Sequence, residues 1–128
     1  QTNQFSRYFE GYGLYEDLDF CIRANRFGKI YICTSAQLEH HHASSGRPNH
    51  FHYGRMVVQN GWYVWRERWP KVTLKNNCKW WAITGLLAIM RMVDRRNGGF
   101  KEALGRLWGA LIVVFSSRRK TYHECKSE

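Results

Sequence analysis

Residues 9–26 have the sequence FEGYGLYEDLDFCIRANR, and this stretch decides the fold that the sequence predicts. Gly11 and Gly13 flank Tyr12, and glycines so placed allow positive φ angles and a close backbone approach to a ligand. Three carboxylates follow directly, at Glu16, Asp17 and Asp19. Negative charge is favourable in the first turn of a helix because of the helix macrodipole. The pattern therefore predicts a turn followed by a helix over residues 15–27.

This helix has apolar residues at helical spacing, which predicts that one of its faces is buried. The face consists of Leu14, Leu18, Cys21, Ile22 and Phe27. Gly28 follows and is suited to end the helix as a C′ residue. The acidic residues have two interpretations. They cap the helix, or the glycine-rich aromatic turn presents them as a general base to a bound hydroxyl.

A strand is predicted after the helix, at residues 29–34, because Lys-Ile-Tyr-Ile-Cys-Thr is rich in β-branched and aromatic residues. Residues 36–40 predict a second, shorter extended piece. Five of the six histidines then lie between His40 and His52. Neutral imidazole is a good metal ligand, but consecutive histidines on a strand point to opposite faces. A solvated polar loop is therefore the alternative to a metal site.

Taken in order, these motifs resemble the second half of the catalytic domain of a family 2 glycosyltransferase. The resemblance covers residues 5–47 and rests on Gly11-Tyr12-Gly13, Glu16-Asp17-Leu18-Asp19-Phe20, Arg23, Gly28, the strand Lys29–Cys33 and Ala36-Gln37-Leu38-Glu39-His40. It implies an α/β fold, in which this chain is the acceptor-side half of a GT-A-type (Rossmann-like) sandwich. The family's nucleotide-binding half and its metal-binding Asp-x-Asp would precede this segment. The chain is therefore expected to be a fragment that is inactive alone.

The resemblance also implies a reaction, the inverting transfer of a sugar from a nucleoside-diphosphate sugar to a hydroxyl of a glycan or lipid-linked acceptor. Asp17 would be the general base and Glu16 would orient it or the acceptor, since an ionised carboxylate can accept the hydroxyl proton. A divalent metal, Mg²⁺ or Mn²⁺, would neutralise the leaving diphosphate. His40 would be one ligand, or His41 if the register differs by one residue, with the other ligands outside this chain. The acceptor-binding residues would be Gly11, Tyr12, Gly13, Tyr15 and Arg47.

Charge is distributed unevenly along the chain. Residues 1–60 contain six Lys and Arg against five Asp and Glu, a net charge of +1, whereas residues 61–128 contain fourteen against five, a net charge of +9. An anionic surface is the expected partner of the second half. A helix is predicted from about residue 49 to Pro70, which ends it, and a basic linker follows over 71–79. The predicted domains are a catalytic half, 1–70, and a basic amphipathic helical tail, 71–128.

Two apolar helical segments are predicted in this tail, at residues 80–90 and 100–115. Both are shorter than the roughly 20 residues that span a bilayer. Trp80 and Trp81 lie at one end of the first segment and Arg91 at the other, which is typical of helices at the membrane–water interface. We expect a cytoplasmic protein held peripherally at the inner face of the membrane. A soluble helical hairpin packed on the catalytic half is the alternative.

The rival function comes from a different class. A non-catalytic, basic and aromatic-rich module would bind an anionic membrane or nucleic acid, which explains the charge but leaves the order of the motifs unexplained. Nucleic acid is not an expected partner, because packing of an amphipathic helix accounts better for the Trp and Arg residues near position 65. The four cysteines have no framework spacing, so they predict free thiols, with Cys21 and Cys33 as small core residues.

Overall fold

The computed structural model describes residues 6–9, 12–39, 49–68, 71, 73–94 and 98–116. In these ranges the chain forms a short 3₁₀ turn and four α-helices. The turn is Arg7–Phe9, and the helices are α1 (Glu16–Ala24), α2 (His50–Arg68), α3 (Leu74–Val93) and α4 (Gly99–Ser116). α4 packs along α2 and against α3, while α1 makes a smaller contact with α2. The fold of the described residues is therefore a helical bundle centred on α2 and α4.

None of the described residues lies in a β-strand. The strand predicted at Lys29–Cys33 is irregular and exposed, with Tyr31 at 82% and Ile32 at 90% of full exposure. β-branched and aromatic residues favour a strand when a pleated, half-buried surface receives them, and nothing in the described part of the chain offers one. The predicted α/β class and GT-A-type sandwich are therefore wrong, and the described residues form an all-α fold.

The turn before α1 has the backbone that its glycines predict at Gly13, where φ is 69°. Tyr15, the N-cap residue of α1, also has a left-handed conformation, with φ at 72°. This conformation is uncommon for a residue with a Cβ atom. α1 begins at Glu16, close to the predicted start, but it ends at Ala24. Gly28 is not among the positive-φ glycines of the described chain, so its predicted C′ role is wrong.

The apolar face predicted for α1 is not buried. Leu18 is 45% exposed and Phe27 is 73% exposed. Cys21 and Cys33 are free thiols, as predicted, but both are exposed and neither belongs to a core. The fully buried residue of α1 is instead an acid, Asp19. Helical spacing located the helix but did not identify which side faces α2.

Glycines allow α2 and α4 to approach closely. A Cβ atom at Gly109 would lie 2.7 Å from the carbonyl oxygen of Arg55, and a Cβ atom at Gly54 or Gly105 would come closer still to backbone of the facing helix. Gly105 and Gly109 are four residues apart and so share one face of α4. Val58 fills the contact and is only 1% exposed. The contact between α2 and α4 therefore depends more on glycines, which have no side chain, than on large apolar residues.

α3 begins at Leu74, inside the segment predicted to be a linker. The Thr73 side chain accepts a hydrogen bond from the backbone N–H of Asn76 at 3.3 Å, which satisfies one of the free donors at the helix start. Ala88 is the buried residue of this helix. The predicted extents of α2 and α4 agree with the structure to within a few residues. No helix in the described part of the chain is long and apolar enough to cross a membrane.

Candidate functional site

Of the residues predicted to carry chemistry, those that the structure describes lie at the start of α1 or just before it. Asp17 is exposed to solvent. The Glu16 carboxylate folds back over the turn, since a Cβ atom at Gly13 would lie 2.7 Å from Oε2. Tyr12 is 45% exposed and makes an edge-to-face contact with Tyr53, with ring centroids 6.5 Å apart. Gly11, His40 and Arg47 lie outside the described residues.

Tyr15 is the predicted site residue that the structure places in a cavity. Its ring packs over Gly61 of α2, where a Cβ atom would lie 3.6 Å from Cε2. Burial raises the pKa of Tyr15, and the nearby Tyr53 raises it further. The phenol therefore stays protonated at neutral pH, and Tyr15 is among the residues that line the cavity.

Asp19 was not predicted as a functional residue, although it is the buried acid of this region. Its Oδ2 accepts a hydrogen bond from Nε of Arg23 at 2.9 Å, and its Oδ1 is buried without a hydrogen-bond partner among the described residues. Burial raises its pKa, which the hydrogen bond and charge of Arg23 offset in part. Arg26 reaches Glu67 of α2 at 2.7 Å. The i, i+4 spacing of Asp19 and Arg23 was the available signal for this pair.

A metal centre has no support in the described residues. No three His, Cys, Asp or Glu side chains among them are grouped so that they could hold a metal ion. His50 and His52 are in α2, and the His52 backbone N–H donates to Asn49 Oδ1. The predicted ligand His40 and its alternative His41 lie outside these ranges. The described residues therefore give no support to metal binding, and the divalent metal cofactor stays a prediction, because its other ligands were expected outside this chain.

The outward face of α4 is the most unusual surface of the molecule. Its inward face carries Gly99, Ala103, Gly105, Gly109 and Val113 together with one ion pair. Its outward face carries Phe100, Leu104, Leu107, Trp108, Leu111, Val114 and Phe115, which are 41–74% exposed. An amphipathic helix of a water-soluble domain has the reverse arrangement, with large apolar residues turned to the core. Exposed apolar patches of this kind mark sites that bind a membrane or another protein.

α3 also leaves large apolar side chains exposed along its second half. The exposed residues are Ile83, Leu86, Leu87, Ile89, Met90, Met92 and Val93, at 41–76%. Lys75 and Lys79, at its start, are exposed too. The helix therefore combines an exposed apolar segment with cationic side chains at one end.

A cluster of four tryptophans joins the end of α2 to the start of α3. Trp62 contacts the other three, Trp65, Trp80 and Trp81, with ring centroids 4.8–5.4 Å apart. The Arg66 guanidinium lies 5.8 Å from the centre of the Trp62 ring, within the range of a cation–π interaction. All four rings are partly exposed. This tryptophan cluster combines apolar rings with indole N–H donors, the combination typical of the headgroup region of a bilayer.

The Glu102 carboxylate lies between two arginines beneath the exposed faces. Its Oε1 accepts hydrogen bonds from Nε and Nη2 of Arg106, at 3.0 and 2.8 Å, and lies 3.3 Å from Nε of Arg91 on α3. Glu102 is 5% exposed and Arg106 is 8% exposed. The triad links α3 to α4, and Arg91 also pairs with Asp94. The spacing of Glu102 and Arg106 is again i, i+4, and sequence analysis did not use it.

Comparison with protein families, with characterised proteins and with solved structures finds no match for this chain. The described residues also lack the strands that the family resemblance requires. These findings contradict the suspected membership of glycosyltransferase family 2. The features that remain are a bundle of helices, a large exposed apolar surface and a basic second half.

Proposed function

We propose that the chain is a peripheral membrane-binding module, which attaches to anionic lipid through the outward faces of α3 and α4. The observation that carries the proposal is the inverted composition of α4, with glycines against α2 and large apolar side chains outside. Small residues at a helix contact let the two backbones approach closely, and the large apolar side chains turned away from that contact are then available to a membrane surface. Burying an apolar face of this extent in a membrane is favourable, because it removes apolar surface from water.

The orientation that fits these helices is parallel to the membrane surface. Phe100, Leu104, Leu107, Leu111 and Val114 recur every three or four residues and so form one stripe along the full length of α4. A helix with such a stripe lies in the plane of the interface, with its apolar side buried at the boundary between headgroups and acyl chains. The tryptophan cluster supports this placement, since indole rings are enriched at headgroup level.

Charge favours anionic lipid as the occupant of this surface. Lys75, Lys79 and Lys101 are exposed residues of α3 and α4, and the second half of the chain carries most of the net charge of +10. Each basic residue close to an anionic membrane contributes about 1 kcal/mol, which salt screens within a Debye length. These three lysines would then contribute roughly 3 kcal/mol. The apolar stripe supplies the part of the attachment that is independent of salt.

Nucleic acid fits the same charge less well. Sequence-independent binding of single strands uses aromatic rings with free faces on which bases stack. Trp62 stacks on Trp65, with planes 27° apart, and the edges and faces of Trp80 and Trp81 are engaged by their neighbours. The rings therefore stabilise the contact between α2 and α3 instead of forming an open platform. A membrane also explains the stripe on α4, which a nucleic acid does not.

Co-sedimentation with vesicles tests the proposal. We expect the full chain to pellet with phosphatidylglycerol vesicles, to pellet less with phosphatidylcholine vesicles, and to be partly released by high salt. Replacing Lys75 and Lys79 with Gln removes about 2 kcal/mol of attraction and weakens partitioning roughly thirtyfold. The matched control is Lys29→Gln, an exposed lysine on the irregular segment after α1, which should change nothing.

A second pair of variants tests the apolar stripe. Leu107→Ser and Leu111→Ser together should weaken binding at least tenfold at any salt concentration, since each removes half-exposed apolar surface. Ile32→Ser, at a residue that is 90% exposed but outside the stripe, is the control. Absence of vesicle binding would refute the proposal. Dimerisation of the chain that the Leu107 and Leu111 substitutions abolish would also refute it, and would assign the stripe to a protein contact.

Sugar transfer stays a prediction, because no feature of the described residues tests it. Asp17 is exposed and available as a base, while the predicted residues Gly11, Arg47 and His40 lie outside the described ranges. The decisive substitution is Asp17→Asn in the full-length protein, because this chain is expected to be inactive alone. Transfer to a hydroxyl acceptor would stop in this variant if Asp17 is the base, and unchanged transfer would exclude it.

A further inference from the structure

Two cavities follow α3 along its side next to α2 and α4. The first, of about 170 Å³, is lined by Tyr15, Trp80, Ile83 and Thr84 among others. The second, of about 390 Å³, continues along the helix to Arg91 and Asp94. Both are lined by Leu87 and Arg106, so they adjoin each other along α3, and together they are here called the α3 groove.

The chemistry of the α3 groove is that of a site for a hydrocarbon chain. The first cavity is lined mainly by apolar side chains, among them Trp80, Ile83 and Leu87. The second is lined by Leu87 and Met90 together with Arg91, Asp94 and Arg106, whose charges are paired with one another or with Glu102. The Thr84 hydroxyl donates to the carbonyl oxygen of Trp80 at 2.9 Å. The Arg106 guanidinium is held by Glu102. A ligand in this groove therefore meets few unsatisfied polar groups, which excludes a strongly polar occupant on energetic grounds.

The α3 groove is about as long as one extended acyl chain. An α-helix rises 1.5 Å per residue, so the distance along α3 from Trp80 to Asp94 is roughly 20 Å. One acyl chain spans about half the hydrocarbon thickness of a bilayer, or about 15 Å. One extended acyl chain of a membrane lipid therefore fits between the tryptophan cluster and the Arg91–Asp94 pair.

The α3 groove is also continuous with the proposed membrane surface. Leu87 and Met90 line the groove and are 42% and 59% exposed, so they belong to the outward surface of α3 as well. An acyl chain from the bilayer can reach the groove without crossing water. At the far end, Arg91 and Asp94 are 47% and 39% exposed and can contact a polar headgroup that stays outside.

We propose that the α3 groove binds one acyl chain of a membrane lipid, with the methyl end at Trp80 and the headgroup at Arg91 and Asp94. This inference rests on the proposed membrane attachment and deepens it, because it gives the attached protein a stoichiometric lipid ligand. Bound lipid would bury apolar side chains of α3 that water otherwise contacts. The ligand class is a single-chain or double-chain lipid with a straight acyl chain.

The test is calorimetric titration of the 128-residue chain with lysophosphatidylglycerol below its critical micelle concentration. We expect one lipid per chain. Leu87→Trp places a larger side chain where the two cavities meet and should weaken binding at least tenfold. Ala82→Trp is the matched control, since Ala82 is an exposed residue of α3 that lines neither cavity, and this variant should bind as the wild type does.

Ile83→Trp serves as a second filling variant, and circular dichroism confirms that each variant is folded. Equal binding by the filled and control variants, or no saturable binding by the wild type, would overturn the inference. The vesicle assay on the same variants separates the two proposals. Vesicle binding without lysolipid binding would refute the proposed acyl-chain site and support the membrane surface. Lysolipid binding without vesicle binding would refute the membrane surface and support the acyl-chain site.

Discussion

Helices α1 and α4 each bring an acidic residue and an arginine, four positions apart, into the bundle around α2. In α4 the pair is Glu102 and Arg106, and in α1 it is Asp19 and Arg23, with shortest distances of 2.8 and 2.9 Å. Their surroundings differ. Glu102 also forms a salt bridge with Arg91 of α3, whereas Oδ1 of Asp19 is buried without a hydrogen-bond partner in the described chain. The acidic residue therefore has two arginine partners in the α4 pair, whereas one of its oxygens has no hydrogen-bond partner in the α1 pair.

The difference follows from the glycines. Gly105 and Gly109 let α4 approach α2 to backbone contact, and Gly99 lets the first turn of α4 approach the backbone of Arg91 in α3. Glu102, in that first turn, then lies close to Arg91 as well as to Arg106. α1 has no glycine between Glu16 and Ala24 and makes a smaller contact with α2. An ion pair stabilises a fold when its geometry satisfies both partners, and it is neutral or costly otherwise. Close helix packing thus decides what an ion pair contributes.

The largest expected effect on stability comes from removing one partner of the Glu102–Arg106 pair. Glu102→Ala leaves Arg106, which is 8% exposed, without its carboxylate, and it also removes a partner of Arg91. We expect the free energy of unfolding to fall by about 3 kcal/mol or more. Urea denaturation at neutral pH measures it. Replacing both Glu102 and Arg106 with Leu should restore most of the lost stability, since neither buried charge then remains. A loss below about 1 kcal/mol in Glu102→Ala would contradict the prediction and show that water reaches the arginines.

The helix contact itself gives the next effect. Gly105→Ala places a Cβ atom against the carbonyl group of Phe51, where backbone must move to accept it. A loss of about 1–3 kcal/mol is expected from such overpacking. Gly85→Ala in α3 is the matched control, because a Cβ atom there meets nothing within 4 Å. This control should gain up to about 1 kcal/mol from helix propensity, so thermal melts of the two variants should shift in opposite directions.

Asp19 should give the smallest effect and one that depends on pH. Burial raises its pKa above the ordinary 3.8, and the Arg23 hydrogen bond and charge lower it by less. The folded state then holds a proton that the unfolded chain releases, so stability falls as pH rises from the unfolded pKa through the folded one. Asp19→Asn should lose only about 1 kcal/mol at neutral pH, because desolvation already offsets much of the ion pair.

Urea midpoints at several pH values between 3 and 7 test this sign. The part of the loss of stability with rising pH that Asp19 causes should be absent from the Asp19→Asn variant. Asp17→Asn is the control, since Asp17 is exposed and its substitution should change stability by less than about 0.5 kcal/mol at any pH. A stability of the wild type that rises through this window relative to Asp19→Asn would contradict the assignment.

Sequence patterns predicted the helices whose signals are local. The spacing in α4 and the break at Pro70 after α2 located these elements, and the acidic first turn located the start of α1. The start of α3 was missed because Thr73 was not recognised as an N-cap, although its residue type is favoured there. The strand at Lys29–Cys33 failed for a different reason. Its residues favour a strand only if another strand pairs with them, and sequence does not reveal that pairing.

The candidate site was less predictable than the fold. The order of motifs around Asp17 suggested a catalytic turn, but no rule of spacing showed that the neighbouring Asp19 would be the buried acid. The surface of α3 and α4 was predicted as amphipathic, yet its side facing α2 could not be inferred from apolar periodicity. Glycines occupy that side of α4, and hydrophobic pattern analysis gives them no weight.

The tryptophan cluster gives this protein an optical signal for its tertiary structure. Trp62, Trp80 and Trp81 are held within 5.4 Å of each other, with ring planes at 35°, 68° and 89°. Chromophores fixed in a chiral arrangement produce near-ultraviolet circular dichroism, which disappears when side chains lose their fixed packing although helices persist. Because the rings belong to both α2 and α3, loss of this band before loss of the far-ultraviolet helix signal would report that α3 has separated from α2.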